Sequence, residues 1–279
     1  MKVRIIIDSA ADLMPDIKEK LTVVPMTLNF GDEEFIEGVT ITHKEFYEKL
    51  IETDVMPTTS QATPAVFDEC FKRISDAGES AVVLTLSSKL SGTYQSALIA
   101  AGEYENIYVV DSDSATIGIG ILAELALNLA ESGLSAKEIA EKLEEEKKKV
   151  LIVAMIDTLE YLKKGGRISK TVAFAGGLLN IKPVISVTEG EINILGKARG
   201  SKQGNNQLVT EIEKAGGVDF SKPVLLGYTG LTDILLQKYI EDSKELWAGA
   251  KKELNTAIIG SIIGTHVGSG AIAVAFFKK

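Results

Sequence analysis

Short apolar runs alternate with amphipathic segments through the first half of the chain. Four runs rich in β-branched and aliphatic residues predict strands, at residues 3–7, 23–28, 81–86 and 107–110. Apolar positions at helical spacing predict helices between them, at residues 44–52, 64–77 and 117–132. Thr42 and the capping box Ser135-Ala136-Lys137-Glu138 mark two helix starts. This rhythm predicts an α/β fold with a Rossmann-like parallel-sheet domain over residues 1–150.

The second half has a different pattern. A strand is predicted over residues 151–156, and a hairpin is predicted from two short runs, 184–187 and 192–195, that flank Glu189-Gly190. Two final strands are predicted over residues 257–263 and 272–277, on either side of a glycine-rich turn that contains His266. These elements predict an α+β domain with a mixed sheet over residues 151–279.

Composition narrows the function classes. The chain has 279 residues, 45% of them hydrophobic, and a net charge of −9, which argues against nonspecific nucleic-acid binding. One cysteine and two histidines argue against a disulfide framework and a structural zinc site. The sequence shows neither a secretory leader nor a long apolar span. We therefore expect a cytoplasmic protein with no integral membrane association.

Hydroxyl and glycine residues cluster where the predicted strands end and helices begin. Ser91, Gly92 and Thr93 precede a predicted helix whose first amides favour an anionic group, although Ser91 is equally suited to be an N-cap. Thr59 and Ser60 precede Pro64 in the same way, and there a capped helix start is the commoner outcome.

Charged residues give further candidates, each with a plain structural alternative. Arg167 could pair with a carboxylate or a phosphate, or with an acidic residue of the surface. The basic patch that contains Arg199 could receive a phosphate or an acidic partner, or could be a solvated loop. His266 could hydrogen-bond a carboxylate or move a proton, or could be structural. Asp8 and Asp111, with the nearby Asp113, could hold Mg²⁺, but Asp after a strand more often caps a turn. The sequence contains no recognisable nucleotide-binding or catalytic motif.

Seven segments taken together resemble the DegV family of fatty-acid-binding proteins. They occur in family order across nearly the whole chain: Asp8-Ser9-Ala10-Ala11-Asp12, Thr59-Ser60-Gln61, Ser87-Ser88-Lys89-Leu90-Ser91-Gly92-Thr93-Tyr94, Leu159-Glu160-Tyr161-Leu162-Lys163-Lys164-Gly165-Gly166-Arg167-Ile168, Ile181-Lys182-Pro183, Gly196-Lys197-Ala198-Arg199-Gly200 and Gly264-Thr265-His266-Val267-Gly268. Because the match is spread over the chain, it is more specific than any one motif.

The resemblance implies a two-domain protein that encloses a long-chain fatty acid such as palmitate between its two domains. It implies that Thr59 and Ser91 bind the carboxylate, with Arg199 and His266 near that headgroup. It further implies a carrier that is not itself an enzyme and needs no cofactor, and that presents the acid to a separate fatty acid kinase for acyl-phosphate formation. The alternative from the residues alone is a small Mg²⁺-dependent hydrolase or phosphotransferase that uses Asp8, Asp111 and His266.

Overall fold

The computed structural model describes residues 2–168, 181–250 and 253–279. Its strands, in chain order, are β1 (Val3–Asp8), β2 (Thr22–Val24), β3 (Thr27–Phe30), β4 (Glu33–Ile36), β5 (Thr58–Ser60), β6 (Ser80–Thr85), β7 (Ile107–Asp111), β8 (Val150–Met155), β9 (Ile181–Thr188), β10 (Glu191–Arg199), β11 (Leu225–Tyr228), β12 (Thr256–Ile258) and β13 (Ile272–Phe277). Its α-helices are α1 (Pro15–Lys18), α2 (His43–Glu52), α3 (Pro64–Asp76), α4 (Thr93–Ala101), α5 (Thr116–Glu131), α6 (Ala136–Glu146), α7 (Glu160–Lys164), α8 (Gly200–Lys214), α9 (Ile234–Asp242) and α10 (Ser261–Val267).

The first sheet is parallel, with strand order β2-β1-β6-β7. All six residues of β6 are buried, as expected of a strand covered on both faces. Helix α3 packs with α4 and helix α5 packs with α6, and all four helices contact strands of this sheet. Thr42 and Ser135 each form the predicted capping interaction at the start of α2 and α6. The predicted Rossmann-like parallel sheet is confirmed.

The second sheet is mixed, with strand order β10-β9-β8-β13-β11-β12. Only β11 and β12 pair in parallel; the other neighbours are antiparallel. The predicted hairpin joins β9 to β10, and Glu189 and Gly190 have φ of 50° and 78°, as a tight hairpin turn requires. The predicted α+β arrangement with a mixed sheet is therefore confirmed. The boundary near residue 150 stays a prediction.

One predicted strand is divided between two sheets. The prediction of a single strand over residues 23–28 is wrong, because β2 pairs in the first sheet while β3 lies in a separate sheet of order β4-β3-β5. Pro25 lies between them and has no N–H to donate to a continuous ladder. The amide of Met26 donates to Ser9 Oγ, at 2.9 Å, which fixes the chain where it leaves the first sheet.

The predicted strand over residues 257–263 is also wrong in its second half. Strand β12 ends at Ile258, and the helix α10 follows from Ser261. Glycines and β-branched residues dominate this segment and favour an extended or irregular chain locally. The carboxylates of Asp12 and Glu37 accept hydrogen bonds from the amides of Gly260, Ser261 and Ile262, which compensates for that weak propensity.

The second sheet separates two groups of buried side chains. On β8, Ile152 and Ala154 face the first sheet, whereas Val153 and Met155 belong to a core on the opposite side. Helices α8 and α9 contribute to that opposite core. The face towards the first sheet is where the apolar cavity described below lies. Among residues 2–168, 181–250 and 253–279, no helix combines the length and apolar character needed to cross a bilayer.

Candidate functional site

A predominantly apolar cavity lies between the first and second sheets. Its cavity volume is about 80 Å³, and the wider outline of about 820 Å³ includes open solvent. Leu86 and Ala115 line it from segments that follow β6 and β7. This position, beyond the carboxyl ends of parallel strands, is where open α/β sheets bind ligands.

The second sheet supplies one wall through alternate residues of neighbouring strands. Ile152 and Ala154 of β8 line the cavity, and so do Ile185 of β9 and Ala273 of β13. Ala154 pairs with both Ala273 and Ile185, so these three side chains form a row across the sheet. No Phe, Tyr or Trp among the described residues lines the cavity. The wall can therefore accept a flexible aliphatic group but offers no ring for stacking.

Hydrogen-bonding groups line the cavity beside this aliphatic wall. Thr59 of β5 and His266 in the last turn of α10 both line it, and Thr59 Oγ1 lies 2.9 Å from His266 Nε2. Thr59 is held in place because Leu28 of β3 pairs with it. Thr59 and His266 are partly exposed, whereas the aliphatic side chains of Ile152, Ala154 and Ala273 are buried, so the polar groups are the more accessible part of the lining.

Ser91 also lines the cavity, from the segment that precedes α4. Its Oγ lies 2.9 Å from Thr93 Oγ1 and accepts a hydrogen bond from the Thr93 amide at 3.3 Å. The N-cap residue of α4 is Gly92 and no side chain caps this helix, so Ser91 does not take the N-cap role that the sequence left open. Its hydroxyl supports the turn before the helix and lines the cavity.

Arg167 is a cationic residue of the cavity lining, just after α7. Its Nε donates to the carbonyl of Leu90 at 3.1 Å, and its Nη1 donates to the carbonyl of Gly165 at 2.6 Å. These bonds hold the guanidinium beside the segment that carries Ser91. The lining of this cavity therefore contains both a positive charge and hydroxyl donors.

Comparison with known proteins identifies the family. The family model described as "Uncharacterised protein, DegV family COG1307" matches residues 2–279. The chain belongs to the DegV family. A DegV domain-containing protein of Caldanaerobacter subterraneus, TTE1491, is 35% identical over 288 residues, which cover 100% of this chain and 99% of the relative.

Two solved structures share the fold of this DegV chain along its whole length. A DegV family protein of Thermus thermophilus, described as binding fatty acid, has 30% identity and a TM-score of 0.89, with 100% of each chain covered. A stearic-acid-binding protein of Eubacterium ventriosum has 28% identity and a TM-score of 0.84, with 99% of this chain and 98% of that chain covered. The DegV chain is therefore similar to proteins that bind fatty acids.

Four of the residues proposed from the sequence of the DegV chain do not line the cavity. Ser60 and Arg199 are exposed, Arg199 at the end of β10. Thr93 is buried and contacts two residues of the lining, Ser91 and Met26. Gly92 packs so closely that a Cβ atom there would lie 2.1 Å from Gln61 Oε1. Their assignment as ligand-binding residues stays a prediction.

Sequence reasoning missed Gln61, which lines the cavity and donates to Ser96 Oγ at 2.9 Å. The alternation of side chains along an extended segment could have identified Gln61. Side chains two residues apart in an extended segment point the same way, so Thr59 and Gln61 share one side and Ser60 takes the other. The observed lining by Thr59 and Gln61, with Ser60 exposed, follows that rule.

The carboxylates of the Mg²⁺ alternative are engaged by backbone amides. Asp8 is fully buried and accepts from the amides of Ala10 and Leu86, at 3.0 and 2.7 Å. Asp111 accepts from the amide of Ser88, at 3.2 Å to each oxygen. Neither aspartate lines the cavity that contains His266. The described residues include no group of three or more His, Cys, Asp or Glu side chains placed to hold a metal ion.

The environment of His266 favours a neutral ring. Burial and, to a smaller extent, the positive charge of Arg167 together lower the pKa of His266 to about 4. Nδ1 is buried without a hydrogen-bond partner among the described residues. Gly165 packs against the same nitrogen, since a Cβ there would lie 2.4 Å from it. A neutral imidazole with its proton on Nε2 suits this site, because Nε2 then donates to Thr59 Oγ1.

We expect the ring of His266 to keep constant ¹⁵N chemical shifts from pH 8 down to pH ~5.5 and to titrate near pH ~4. The pKa of His266 in the folded protein lies below the ordinary value of 6.5. The contribution of the neutral ring to the free energy of unfolding is therefore fully present above pH 6.5. That contribution is lost as the pH falls towards 4. Imidazole NMR, with the His43→Gln variant to separate the two rings, measures this. A midpoint near the ordinary value would contradict the neutral assignment.

Proposed function

We propose that this DegV chain binds one long-chain fatty acid, such as palmitate, between predicted domains 1–150 and 151–279. The acyl chain lies in the apolar cavity, and Thr59 and Ser91 hold the carboxylate. The observation that carries the proposal is a single cavity that combines an aliphatic wall with hydroxyl, imidazole and guanidinium groups. The fatty-acid-binding relatives of the same fold support it.

Burial of the acyl chain supplies most of the affinity in this proposal. Each buried methylene contributes about 0.8 kcal/mol, so about a dozen contribute on the order of 10 kcal/mol. Loss of translational and conformational freedom takes back several kcal/mol or more. The remainder is enough for tight retention, and the polar groups need only orient the headgroup.

The hydrogen-bond directions around Thr59 suit a carboxylate. When the neutral His266 ring donates from Nε2 to Thr59 Oγ1, the hydroxyl proton of Thr59 is directed elsewhere and can donate to a ligand oxygen. Ser91 offers a second hydroxyl, and Arg167 adds positive charge. A carboxylate held in this way is stabilised by charge-assisted hydrogen bonds.

We propose further that the protein is a carrier, not an enzyme, and that it presents the acid to a separate fatty acid kinase. The resemblance to DegV carriers suggests this partner. The residues of the polar group, Thr59, Ser91, Arg167 and His266, are partly exposed, whereas Ile152, Ala154 and Ala273 of the wall are buried. A partner can therefore reach the headgroup while the acyl chain stays enclosed.

Mass spectrometry of the purified protein, native and after organic extraction, tests the proposal directly. We expect close to one fatty acid per chain, and the extract reports its length and saturation. Delipidated protein that fails to take up added palmitate while remaining folded would refute fatty-acid binding.

Replacing Ser91 with alanine should weaken palmitate binding by about tenfold, because it removes one charge-assisted hydrogen bond. Equilibrium binding to delipidated protein measures the change. Ser88→Ala is the matched control, since Ser88 lies in the same loop but is exposed and does not line the cavity. If both variants bind as tightly as the parent, Ser91 does not hold the carboxylate.

A further inference from the structure

Glu37 is a buried carboxylate whose main contacts are with the start of helix α10. Its side chain is 2% exposed, and the residue follows β4 directly. Oε1 accepts hydrogen bonds from the amides of Ser261 and Ile262 and, at 2.9 Å, from the hydroxyl of Ser261. These partners lie more than two hundred residues further along the chain, so the contact links distant segments.

The small sheet that carries Glu37 also carries Thr59. Thr27 of β3 pairs with Ile36, next to Glu37, on one side and with Ser60, next to Thr59, on the other. The two residues therefore belong to one rigid unit. Glu37 contacts the beginning of α10, and Thr59 contacts His266 near its end. The same sheet thus holds the helix at two points.

Helix α10 has few ways to shift sideways. Gly264 packs against α2, because a Cβ there would lie 2.7 Å from both Phe46 Cε1 and Tyr47 Oη. Tyr47 donates to the carbonyl of Ile259 at 2.7 Å, just before the helix. The remaining freedom is displacement along the helix axis or rotation about it, and the hydrogen bonds of Glu37 oppose both.

We infer that Glu37 is a positioning residue for the carboxylate site: through helix α10 it keeps His266 within hydrogen-bond distance of Thr59. Ser261 and His266 are five residues apart, about 7.5 Å along a helix. A hydrogen bond between nitrogen and oxygen tolerates only a few tenths of an ångström around 2.9 Å. A small displacement at the first turn is therefore enough to break the contact at the last turn.

The burial of Glu37 indicates that the side chain acts as a hydrogen-bond acceptor through one oxygen and that its negative charge matters less. Burial raises the pKa of Glu37, and hydrogen bonds from Ser261 oppose that rise. Oε2 has no hydrogen-bond partner among the described residues, so one oxygen carries the contact. Glutamine, which keeps one side-chain carbonyl in the same place, is thus the conservative replacement.

The inference rests on the proposed fatty-acid function, and its test separates the two. In delipidated protein, we expect Glu37→Ala to weaken palmitate binding by about tenfold and Glu37→Gln to bind within about threefold of the parent. Glu34→Ala is the matched control, because Glu34 is an exposed carboxylate on β4. In a His266→Ala background, Glu37→Ala should weaken binding no further, since the two act through one contact.

The ring of His266 gives a readout that needs no ligand. We expect Glu37→Ala, but neither Glu37→Gln nor Glu34→Ala, to shift its imidazole ¹⁵N resonances in the free protein. If the parent fails to bind palmitate but these shifts appear, the proposed function is wrong and the positioning role stands. Folded Glu37→Ala with unchanged shifts and unchanged affinity would overturn the inference. If Glu37→Ala does not fold, Glu37→Asp, which withdraws the acceptor by one methylene, is judged by the same criteria.

Discussion

Replacing Ala154 with leucine should abolish tight binding of palmitate while leaving the protein folded. Ala154 lines the cavity and lies in one row with Ala273 and Ile185. A leucine there fills space that we assign to the acyl chain. Excluding about four methylenes costs about 3 kcal/mol, which weakens binding by about a hundredfold or more.

The thermal stability of the ligand-free Ala154→Leu protein should not fall, although its affinity for palmitate does. Filling an empty apolar cavity adds buried contacts, so thermal unfolding of the delipidated variant should occur at the parent temperature or above it. Ala77→Leu, at an exposed position after α3, is the matched control for the substitution itself. Undiminished palmitate affinity in a folded Ala154→Leu protein would place the acyl chain elsewhere.

Replacing Asp8 with alanine should destabilise the fold by about 2–6 kcal/mol, because two buried amides lose their acceptor at a cost of about 1–3 kcal/mol each. Those amides belong to Ala10 and Leu86, so Asp8 joins the ends of β1 and β6. Burial raises the pKa of Asp8 to about 7, against the two amide bonds, which favour its ionised form. Urea unfolding of the delipidated protein measures the loss.

Two further variants define the role of Asp8. Asparagine should recover only part of the lost stability, since its NH₂ group cannot accept from an amide. Asp16→Ala, at an exposed position of α1, should change the free energy of unfolding by less than about 0.5 kcal/mol. If Asp8→Ala lowers the free energy of unfolding as little as Asp16→Ala does, the structural role of Asp8 is refuted.

The elements that the sequence predicts well are those stabilised by their own residues. Strand β6 is a continuous apolar run, and α2 and α6 carry their capping residues three positions from the groups they bind. Helix α10 could not be predicted in this way. Its local residues favour extended chain, and the acceptors that stabilise its first turn, Asp12 and Glu37, come from the other end of the sequence.

The candidate site likewise contains residues that could be proposed from the sequence and residues that could not. Thr59, Ser91, Arg167 and His266 were proposed from hydroxyl-rich and glycine-rich segments and from the family resemblance, and the structure brings them to one cavity. The aliphatic wall could not be proposed, because its members become neighbours only through the strand order of the second sheet. Ile152 and Ala273 resemble ordinary core residues in the sequence, and their role depends on what lies opposite them.

The position of β13 has a consequence for biosynthesis. This strand lies between β8 and β11, and its Ile272 pairs with Met155. The ribosome therefore releases β8 long before the strand that must pair with it, and α10 with His266 emerges only just ahead of β13. Until then the aliphatic residues of β8 have no antiparallel partner on that side. Such long-range pairing folds slowly and exposes a strand edge meanwhile, so the nascent chain is most prone to aggregation in the interval before β13 is released.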